Sequence, residues 1–353
     1  MIQELTIPLC EPNRGRQFQM DSTVSTLRKQ DANIAFNAIK TWLACAGISA
    51  FRLSWQIAKW LSIHPLPAKE HYYIMRLFRF VWKSYYVWIS YSNPLCSEKK
   101  IQLLVDLCEN NQQWFFRERG SYDLLEMKLL AEGMKSAEAF FDVGSNIGMY
   151  ATTIAQAFPT KRIEAIEPLR KNFVSLQANV AANQLSNCRG HHAAVSNAGK
   201  PSRFYVNPIH DGGGSLILPT VYRTGDVIIE AKSYQKKHSD FKAWEEVKTF
   251  RLDEILSQKS VLKIDVEGSE VDVLQSCHGS LKDGLVDLMI VEVLQGTVDK
   301  VVSLLGELEF NSFLLPDFVP IATGVQLPWF VRNIICLRRS ARIHETISKR
   351  VKQ

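Results

Sequence analysis

The sequence lacks three features that would assign it to a membrane-spanning or secreted class. It has no run of about 18 uncharged apolar residues, so it predicts no transmembrane helix. Its first residues, 1–4, show neither the charged segment nor the apolar segment of a secretory signal. Its seven cysteines are odd in number and include no C-x-x-C pair, which argues against a disulfide framework or a zinc site. We therefore expect reduced thiols in a cytoplasmic protein.

Low-complexity tracts and internal repeats are also absent, and the composition is that of a globular protein. The chain has 353 residues, of which 46% are hydrophobic, enough for one large domain or two with a sizeable core. Composition and periodicity divide it into an irregular tail (1–33), a mostly helical region (34–130), an α/β domain (131–340) and a basic tail (341–353).

Positive charge is concentrated in the N-terminal part of the chain. The net charge is +6, and residues 28–83 contain nine Lys and Arg against two acids, interspersed with aromatic residues. We favour a helical cap whose aromatic side chains are core and whose charges face water. The alternative is a surface that makes peripheral contact with an anionic membrane, at the inner membrane face. The basic residues are too dispersed to predict nucleic-acid binding.

Residues 139–148 carry the main motif of the sequence. An apolar run ends in Asp142, two glycines follow with three residues between them (Gly144 and Gly148), and a helical pattern begins at once. This order predicts a strand, a tight turn and a helix, the opening unit of a doubly wound, mostly parallel α/β sheet. The spacing G-x-x-x-G differs from the G-x-G-x-x-G of dinucleotide folds, and therefore suits a nucleoside without a pyrophosphate.

A second acid stands where such a nucleoside would place its ribose. Residues 162–167 predict the next strand, and Glu167 lies at its end, 23 residues after Gly144. A carboxylate at this point accepts hydrogen bonds from both ribose hydroxyls. Adenosine without phosphate, bound at the carboxyl edge of a sheet, indicates S-adenosylmethionine as the cofactor.

Four further segments extend the pattern, and together the segments resemble the FkbM-type methyltransferases. The resembling segments are 142–148, 167–168, 251–253, 263–270 and 290–293. The resemblance covers about residues 139–295, and the segment 263–270 is its specific part. It implies a class I methyltransferase fold with a seven-stranded sheet and helices on both faces. It also implies O-methylation of a hydroxyl on a carbohydrate, glycolipid or secondary-metabolite acceptor.

In that architecture the fourth strand ends beside the methyl group, which makes its acids the catalytic candidates. Asp265 is the candidate base for the acceptor hydroxyl. The alternatives are that it orders the loop or binds the ammonium of the cofactor. Glu267 is a second candidate base or a group that positions the acceptor. A metal held by these two acids and a histidine is conceivable from the donor types, but the types are not diagnostic and no metal is predicted.

The cofactor-binding candidates are Asp142, Gly144, Asn146, Gly148 and Glu167. Asp142 is expected to hold the ammonium of the cofactor, together with the Gly144 turn; capping of backbone N–H groups is the alternative. Asn146 is expected to form the turn and to add a side-chain contact. Gly148 lets the helix approach the strand, and Glu167 is assigned to the ribose.

Three interpretations remain at the margins of the site. His191 and His192 are neighbours on a strand, so at most one reaches the crevice, and core or surface roles are favoured for both. The loop 211–215 is a flap over the acceptor or a flexible hairpin loop. The competing functions are a nicotinamide-dependent oxidoreductase, disfavoured by the missing middle glycine, and a catalytically silent S-adenosylmethionine-binding protein.

Overall fold

The fold is centred on a single sheet of eight strands, with helices between most of its neighbouring strands along the chain. The computed structural model describes residues 84, 86–106, 108–109, 112, 115, 123–208, 213–219, 221–224, 227–237, 243–327 and 331–341. Its strands are β1 Tyr86–Asn93, β2 Cys96–Asp106, β3 Ala139–Val143, β4 Arg162–Ile166, β5 Cys188–His191, β6 Ala194–Val195, β7 Ser202–Tyr205, β8 Val221–Thr224, β9 Val227–Glu230, β10 Trp244–Val247, β11 Thr249–Phe250, β12 Ser260–Ile264, β13 Val286–Leu294, β14 Phe310–Leu314, β15 Val319–Ile321 and β16 Val331–Arg338. Its helices are α1 Leu124–Met134, α2 Met149–Ala157, α3 Arg170–Ala182, α4 Ala231–Lys237, α5 Glu270–Ser276, α6 His278–Lys282 and α7 Val298–Glu307, with a 3₁₀ turn at Leu252–Glu254.

The strand order of the main sheet is β15-β14-β16-β13-β12-β3-β4-β5. Strands β13, β12, β3, β4 and β5 are parallel, whereas β16 runs antiparallel to both β13 and β14. The chain leaves β3 toward β4 and β5 and later returns to β12 on the other side of β3. This reversal opens a crevice at the carboxyl ends of β3 and β12. The class I methyltransferase fold is thereby confirmed.

The number of strands in the sheet differs from the prediction of seven. The additional strand is β15, which has three residues and pairs antiparallel with β14 at the edge of the sheet. A segment of three residues is too short to show the alternation by which a strand is recognised in a sequence.

The central strands are apolar because they are covered on both faces. Every residue of β3 and β12 is buried. Phe141 and Leu262 contribute to a core with α5 and α7, while the alternate residues Asp142 and Lys263, paired across the two strands, face the side of α1 and α2. Two ionisable side chains are thus placed under the N-terminal turns of two helices, at the end of the sheet where the crevice opens.

The prediction of a helical region over 34–130 is wrong where the structure describes it before residue 107. Residues 86–106 form an antiparallel hairpin of β1 and β2, not helices. Ile101, Leu103 and Val105 are fully buried in alternation with the less buried Gln102 and Leu104, which is the period of two of a strand. The boundary at 130/131 also falls inside α1, whose Leu130 is buried.

The basic segment 28–83 and the tail 342–353 lie outside the described residues, so the membrane-contact interpretation stays a prediction. Among the helices that the structure describes, none combines the length and the hydropathy needed to cross a bilayer.

The hairpin is joined to the α/β domain through the buried side chain of Asn179 on α3. Its Oδ1 accepts a hydrogen bond from the backbone N–H of Leu104 at 2.6 Å, and its Nδ2 donates to the carbonyl of Ile147 at 2.8 Å. One amide group thus connects β2 with the turn that precedes α2, the turn that carries Gly144 and Gly148.

Replacement of this amide by a side chain of similar size should destabilise the protein. In Asn179→Leu, the N–H of Leu104 and the carbonyl of Ile147 lose their partner while buried. We expect a loss of about 2–4 kcal/mol in the free energy of unfolding, since each buried unpaired group costs about 1–3 kcal/mol. Urea denaturation followed by circular dichroism measures it. Val174→Ala, at a helix position that is 59% exposed, is the control and should change stability by less than about 0.5 kcal/mol. Equal midpoints for the two variants would contradict the assignment.

Candidate functional site

A cavity of about 740 Å³ opens at the carboxyl ends of β3, β4, β12 and β13. This volume is in the range of pockets for small ligands and cofactors. Six of the predicted site residues line it, namely Asp142, Gly144, Asn146, Glu167, Asp265 and Glu267. Gly148 does not, and it has a packing role instead.

The turn after β3 is pressed against the loop after β12. Gly144 has a φ of +85°, and a Cβ at this position would lie 1.8 Å from the carbonyl oxygen of Asp265. Its N–H donates to the carbonyl of Ile166 at the end of β4. Only glycine fits because the conformation is left-handed and the space is taken by backbone. The turn therefore fixes the separation of the ends of β3 and β12, next to which Asp142 and Asp265 lie.

Gly148 secures the helix that follows the turn. Its φ is +80°, and a Cβ there would meet the Cδ1 atom of Leu176 on α3 at 2.2 Å. The close approach of α2 and α3 depends on this glycine. Gly148 was expected to let the helix approach the strand, whereas the close contact at this glycine is with α3, outside the cavity.

Glu167 is buried between two backbone segments and lines the cavity. Its Oε2 accepts from the N–H of Asn146 and its Oε1 from the N–H of Leu169, both at 2.8 Å. Burial raises the pKa of Glu167 to about 8, although these two hydrogen bonds lower it. Each carboxylate oxygen can accept a further hydrogen bond. The side chain is therefore held rigidly and retains capacity for a ligand with paired hydroxyls.

Asn146 forms the turn, as its residue type predicts. It has a φ of +52°, a left-handed conformation that asparagine tolerates better than most residues. Its side-chain oxygen is shielded from solvent and has no hydrogen-bond partner within the described part of the chain. A ligand donor would satisfy that oxygen.

Asp142 has one oxygen in use and one available. The side chain is 2% exposed, and its Oδ2 accepts from the N–H of Ala151 in the first turn of α2 at 3.1 Å. Its Oδ1 has no partner among the described residues. Burial raises the pKa of Asp142 to about 6, and the charge of Lys263 opposes that rise. One oxygen of Asp142 thus caps the backbone of α2, and the other is an acceptor without a partner among the described residues.

Lys263 is a member of the site that the sequence interpretation missed. Its Nζ lies 2.7 Å from Oδ2 of Asp265 and 4.7 Å from the ring centroid of Tyr150. Burial alone would lower the pKa of Lys263, but the carboxylates of Asp265 and Asp142 raise it above the ordinary lysine value. Tyr150 in turn donates to Oδ2 of Asp123 at 2.8 Å. The spacing Lys-x-Asp on a strand, which places both side chains on one face, was the available signal.

Three carboxyl groups converge at the end of β12 and β13. Each of Asp265, Glu267 and Glu292 has a carboxylate oxygen within 4.8 Å of the other two. Burial raises the pKa of Glu267 to about 8, and the charge of Asp265 adds to the rise. The same two causes raise the pKa of Glu292 well above its ordinary value. Among the described residues that line the cavity, Lys263 is the one cation. The site is therefore strongly acidic at this end.

The two predicted histidines are engaged away from the cavity. His191 bonds through Nε2 to a carboxylate oxygen of Glu164, and the ring of His192 stacks on Phe173 at 5.0 Å. Neither lines the cavity. Both have the structural roles that were favoured for them.

The described part of the 211–215 loop borders the cavity. Gly213, Gly214 and Ser215 line it, whereas Asp211 and Gly212 lie outside the described residues. Ser215 pairs with the backbone of Tyr205, and Ile217 and Leu218 are 53% and 63% exposed beside the mouth. This border is mainly apolar, in contrast to the acids at the base.

The backbone contact at Gly144 can be tested by a substitution that adds a single methyl group. Gly144→Ala should lower the melting temperature and disorder the site, because the added carbon clashes with the backbone of Asp265 in a conformation that alanine avoids. Gly306→Ala is the matched control: nothing lies within 4 Å of its ideal Cβ, and it sits in helix α7. That control should keep or raise stability, by up to about 1 kcal/mol. Similar melting curves for the two variants would show that the turn tolerates a side chain.

The raised pKa of Glu167 predicts that the ligand-free protein loses stability as pH rises. The folded value is about 8 and the unfolded value about 4.3, so the folded state binds the extra proton between them. The contribution is complete below about pH 4.3 and is lost as pH rises through 8. Urea unfolding at pH 5, 6, 7 and 8 should therefore show a steeper decline for wild type than for Glu167→Gln. The control Glu307→Gln, at an exposed position, should follow wild type. Parallel curves for wild type and Glu167→Gln would refute the shift.

Comparison with known proteins agrees with this geometry. Residues 142–312 match the family described as the methyltransferase FkbM domain. "Methyltransferase 1" of Beauveria bassiana is 26% identical over 169 residues, which are 45% of this chain and 65% of that protein. The hexuronic acid methyltransferase AglP of Haloferax volcanii is 28% identical over 210 residues, 56% of this chain and 74% of that protein. The chain thus spans slightly less than two thirds of the Beauveria protein.

Among solved structures, M. jannaschii TYW2 in complex with AdoMet is similar over 67% of this chain and 80% of its own, with 10% identity and a TM-score of 0.34. A likeness at that level does not bear on function. The family match begins at Asp142, contains the Gly144 turn and the acids after β12, and ends on β14. Residues 142–312, 171 of the 353 residues of this chain, therefore match the methyltransferase FkbM domain, the S-adenosylmethionine-dependent family that the sequence motifs resemble.

Proposed function

We propose that this chain transfers a methyl group from S-adenosylmethionine to a hydroxyl oxygen of a carbohydrate or a related acceptor. The observation that carries the proposal is the division of acids over one cavity. Glu167 lies at the end of β4, and Asp265 with its neighbours lies at the end of β12, with only β3 between these strands. The first position suits a nucleoside diol, and the second suits a reacting hydroxyl.

The residues at the first position fit the cofactor. Glu167, Asp142 and Asn146 all line one cavity and all carry hydrogen-bond acceptors, and one oxygen each of Asp142 and Asn146 has no partner within the described part of the chain. The cofactor offers donors of the matching kinds: two ribose hydroxyls, an ammonium and the adenine amino group. We assign the ribose to Glu167 and the ammonium to Asp142. A bound cofactor would supply a methyl group on a positively charged sulfur, already activated toward attack.

The acids at the second position would accept the proton of the acceptor hydroxyl and orient the acceptor. Lys263 holds one oxygen of Asp265, which leaves Oδ1 to accept the hydroxyl proton while the hydroxyl oxygen forms its bond to the methyl carbon. With the cofactor bound, the carbon–sulfur bond would break with its electron pair going to sulfur, so the products would be a methyl ether, the neutral thioether and protonated Asp265. Glu267 would then orient the acceptor. The protein's main contribution is alignment of acceptor and methyl group.

The acceptor class follows from charge at the same end of the cavity. Three carboxyl groups and a single ammonium, already paired, leave no free cation for an anionic acceptor within the described lining. On the charges of the described side chains alone, a neutral sugar hydroxyl is therefore favoured over a carboxylate as the acceptor. The relative AglP is named for a hexuronic acid, so matched neutral and uronic acid glycosides form the natural comparison.

A labelled-methyl assay with neutral glycosides and their uronic acid counterparts tests the proposal. We expect transfer to a neutral hydroxyl, and a loss of at least about 100-fold in kcat for Asp265→Asn, the scale of a lost general base. S-Adenosylmethionine affinity, measured by calorimetry, should stay within about threefold of wild type. Asp283→Asn, an exposed acid, is the control.

Two results would overturn the proposal. Absence of S-adenosylmethionine binding would remove the cofactor assignment, and full turnover by Asp265→Asn would remove the base. Binding without any methyl transfer would favour the catalytically silent alternative. The nicotinamide-dependent alternative does not agree with the family match.

A further inference from the structure

The acids at the base of the cavity are arranged in a row across three strands. Asp265 follows Ile264, the last residue of β12, and Ile264 pairs with Val291, the residue before Glu292 on β13. Glu292 is in turn paired with Asn333 on β16. Residues paired directly across strands point to the same face of the sheet. Three oxygen-bearing side chains therefore converge on one surface, and Glu267 reaches the same place from the loop.

The charges of this row are not balanced by the described side chains around it. Lys263 contacts Oδ2 of Asp265 at 2.7 Å and leaves the other carboxylate oxygens available. When ionised, three carboxylates and one ammonium have a net charge of −2. Partly buried carboxylates packed this closely repel one another unless a cation or protons are present. One divalent cation would neutralise the group.

A second observation, independent of the acids, points to a ligand at the same place. The side-chain oxygen of Asn333 is shielded from solvent and accepts no hydrogen bond from the described part of the chain. It lines the same cavity as the three acids. The carboxyl groups could keep their protons without a neutral amide oxygen beside them, so their protonation does not account for Asn333. A buried amide oxygen without a hydrogen-bond partner is unfavourable. Amide oxygens are regular ligands of hard cations.

The spacing and the donor type are those of an oxygen-bound cation. The three carboxylate oxygens lie within 4.8 Å of one another. Opposite ligands of Ca²⁺ are about 4.6–5.2 Å apart and those of Mg²⁺ about 4.0–4.2 Å, with adjacent ligands closer. Neither thiol nor imidazole groups line the described cavity, which disfavours zinc.

We propose that Asp265, Glu267 and Glu292, with the amide oxygen of Asn333, form a binding site for one divalent cation of the Mg²⁺, Mn²⁺ or Ca²⁺ class. This cation site extends the proposed function, and its role in catalysis rests on that function. A cation there would lower the pKa of an acceptor hydroxyl bound to it. With the cation bound, the free oxygen of Asp265 would serve as its ligand in place of accepting the hydroxyl proton directly. The prediction of no metal, made from residue types alone, is thereby replaced by an assignment from register and contact.

Mn²⁺ binding tests the site without any acceptor. Full-length protein freed of metal with EDTA is titrated with Mn²⁺ and followed by electron paramagnetic resonance of the free ion. We expect one ion per chain with a Kd of roughly 10⁻⁵ to 10⁻³ M, displaced by Mg²⁺ or Ca²⁺. Glu267→Gln and Glu292→Gln should each weaken binding at least about tenfold, and Asn333→Leu by a smaller factor. The exposed Glu307→Gln is the matched control and should equal wild type.

The site would be overturned if the wild-type protein showed no saturable Mn²⁺ binding up to millimolar concentration. It would also be overturned if both glutamate variants bound Mn²⁺ as wild type does, or if Glu307→Gln lost as much Mn²⁺ affinity as they do. Circular dichroism and S-adenosylmethionine binding establish that each variant is folded. Where the glutamate variants do not fold, the wild-type titration and Asn333→Leu decide. Because the titration measures binding alone, it can succeed when methyl transfer fails. Transfer that is undiminished in EDTA would refute the catalytic role while leaving the proposed function intact.

Discussion

The site depends on the contact between the Gly144 turn and the backbone after β12. An ideal Cβ on Gly144 would lie 1.8 Å from the carbonyl oxygen of Asp265, so the two loops touch through backbone alone. Their separation is therefore set by atoms that cannot change rotamer. Asp142 near the end of β3 and Asp265 just after β12 keep a fixed spacing for the same reason. A catalytic alignment that must be accurate to a fraction of an ångström benefits from this kind of support.

Buried charge is the second constraint, and the cavity has far more acids than bases. Asp123, Asp142 and Glu167 have pKa values raised by burial, to about 6, 6 and 8 respectively. Such groups are unfavourable in an isolated protein, since ionised carboxylates lose hydration when buried. They become favourable when a cationic ligand is bound. The ligand-free protein therefore sacrifices stability for affinity toward positive charge, which is the charge of the proposed cofactor and of the inferred metal ion.

The sequence was informative wherever a residue's role follows from its neighbours in the chain. The motif 139–148 predicted a strand, a turn and a helix, and these are β3, the Gly144 turn and α2. Glu167 was placed at the end of a strand, and it lies at the end of β4 on the cavity. In contrast, residues 86–106 fell in the region predicted to be mostly helical, and they form strands because β1 and β2 pair with each other.

By itself the sequence determined the fold class and the cofactor, because glycine turns and strand-end acids are recognised in short segments such as 142–148 and 162–167. Tertiary structure decided which distant side chains meet. Glu292 and Asn333 join Asp265 only because β13 lies between β12 and β16 in the sheet. Lys263 and Tyr150 come together because α2 packs over that face. Sheet order and helix packing are set by the whole core, so contacts across strands distant in sequence cannot be deduced from local patterns.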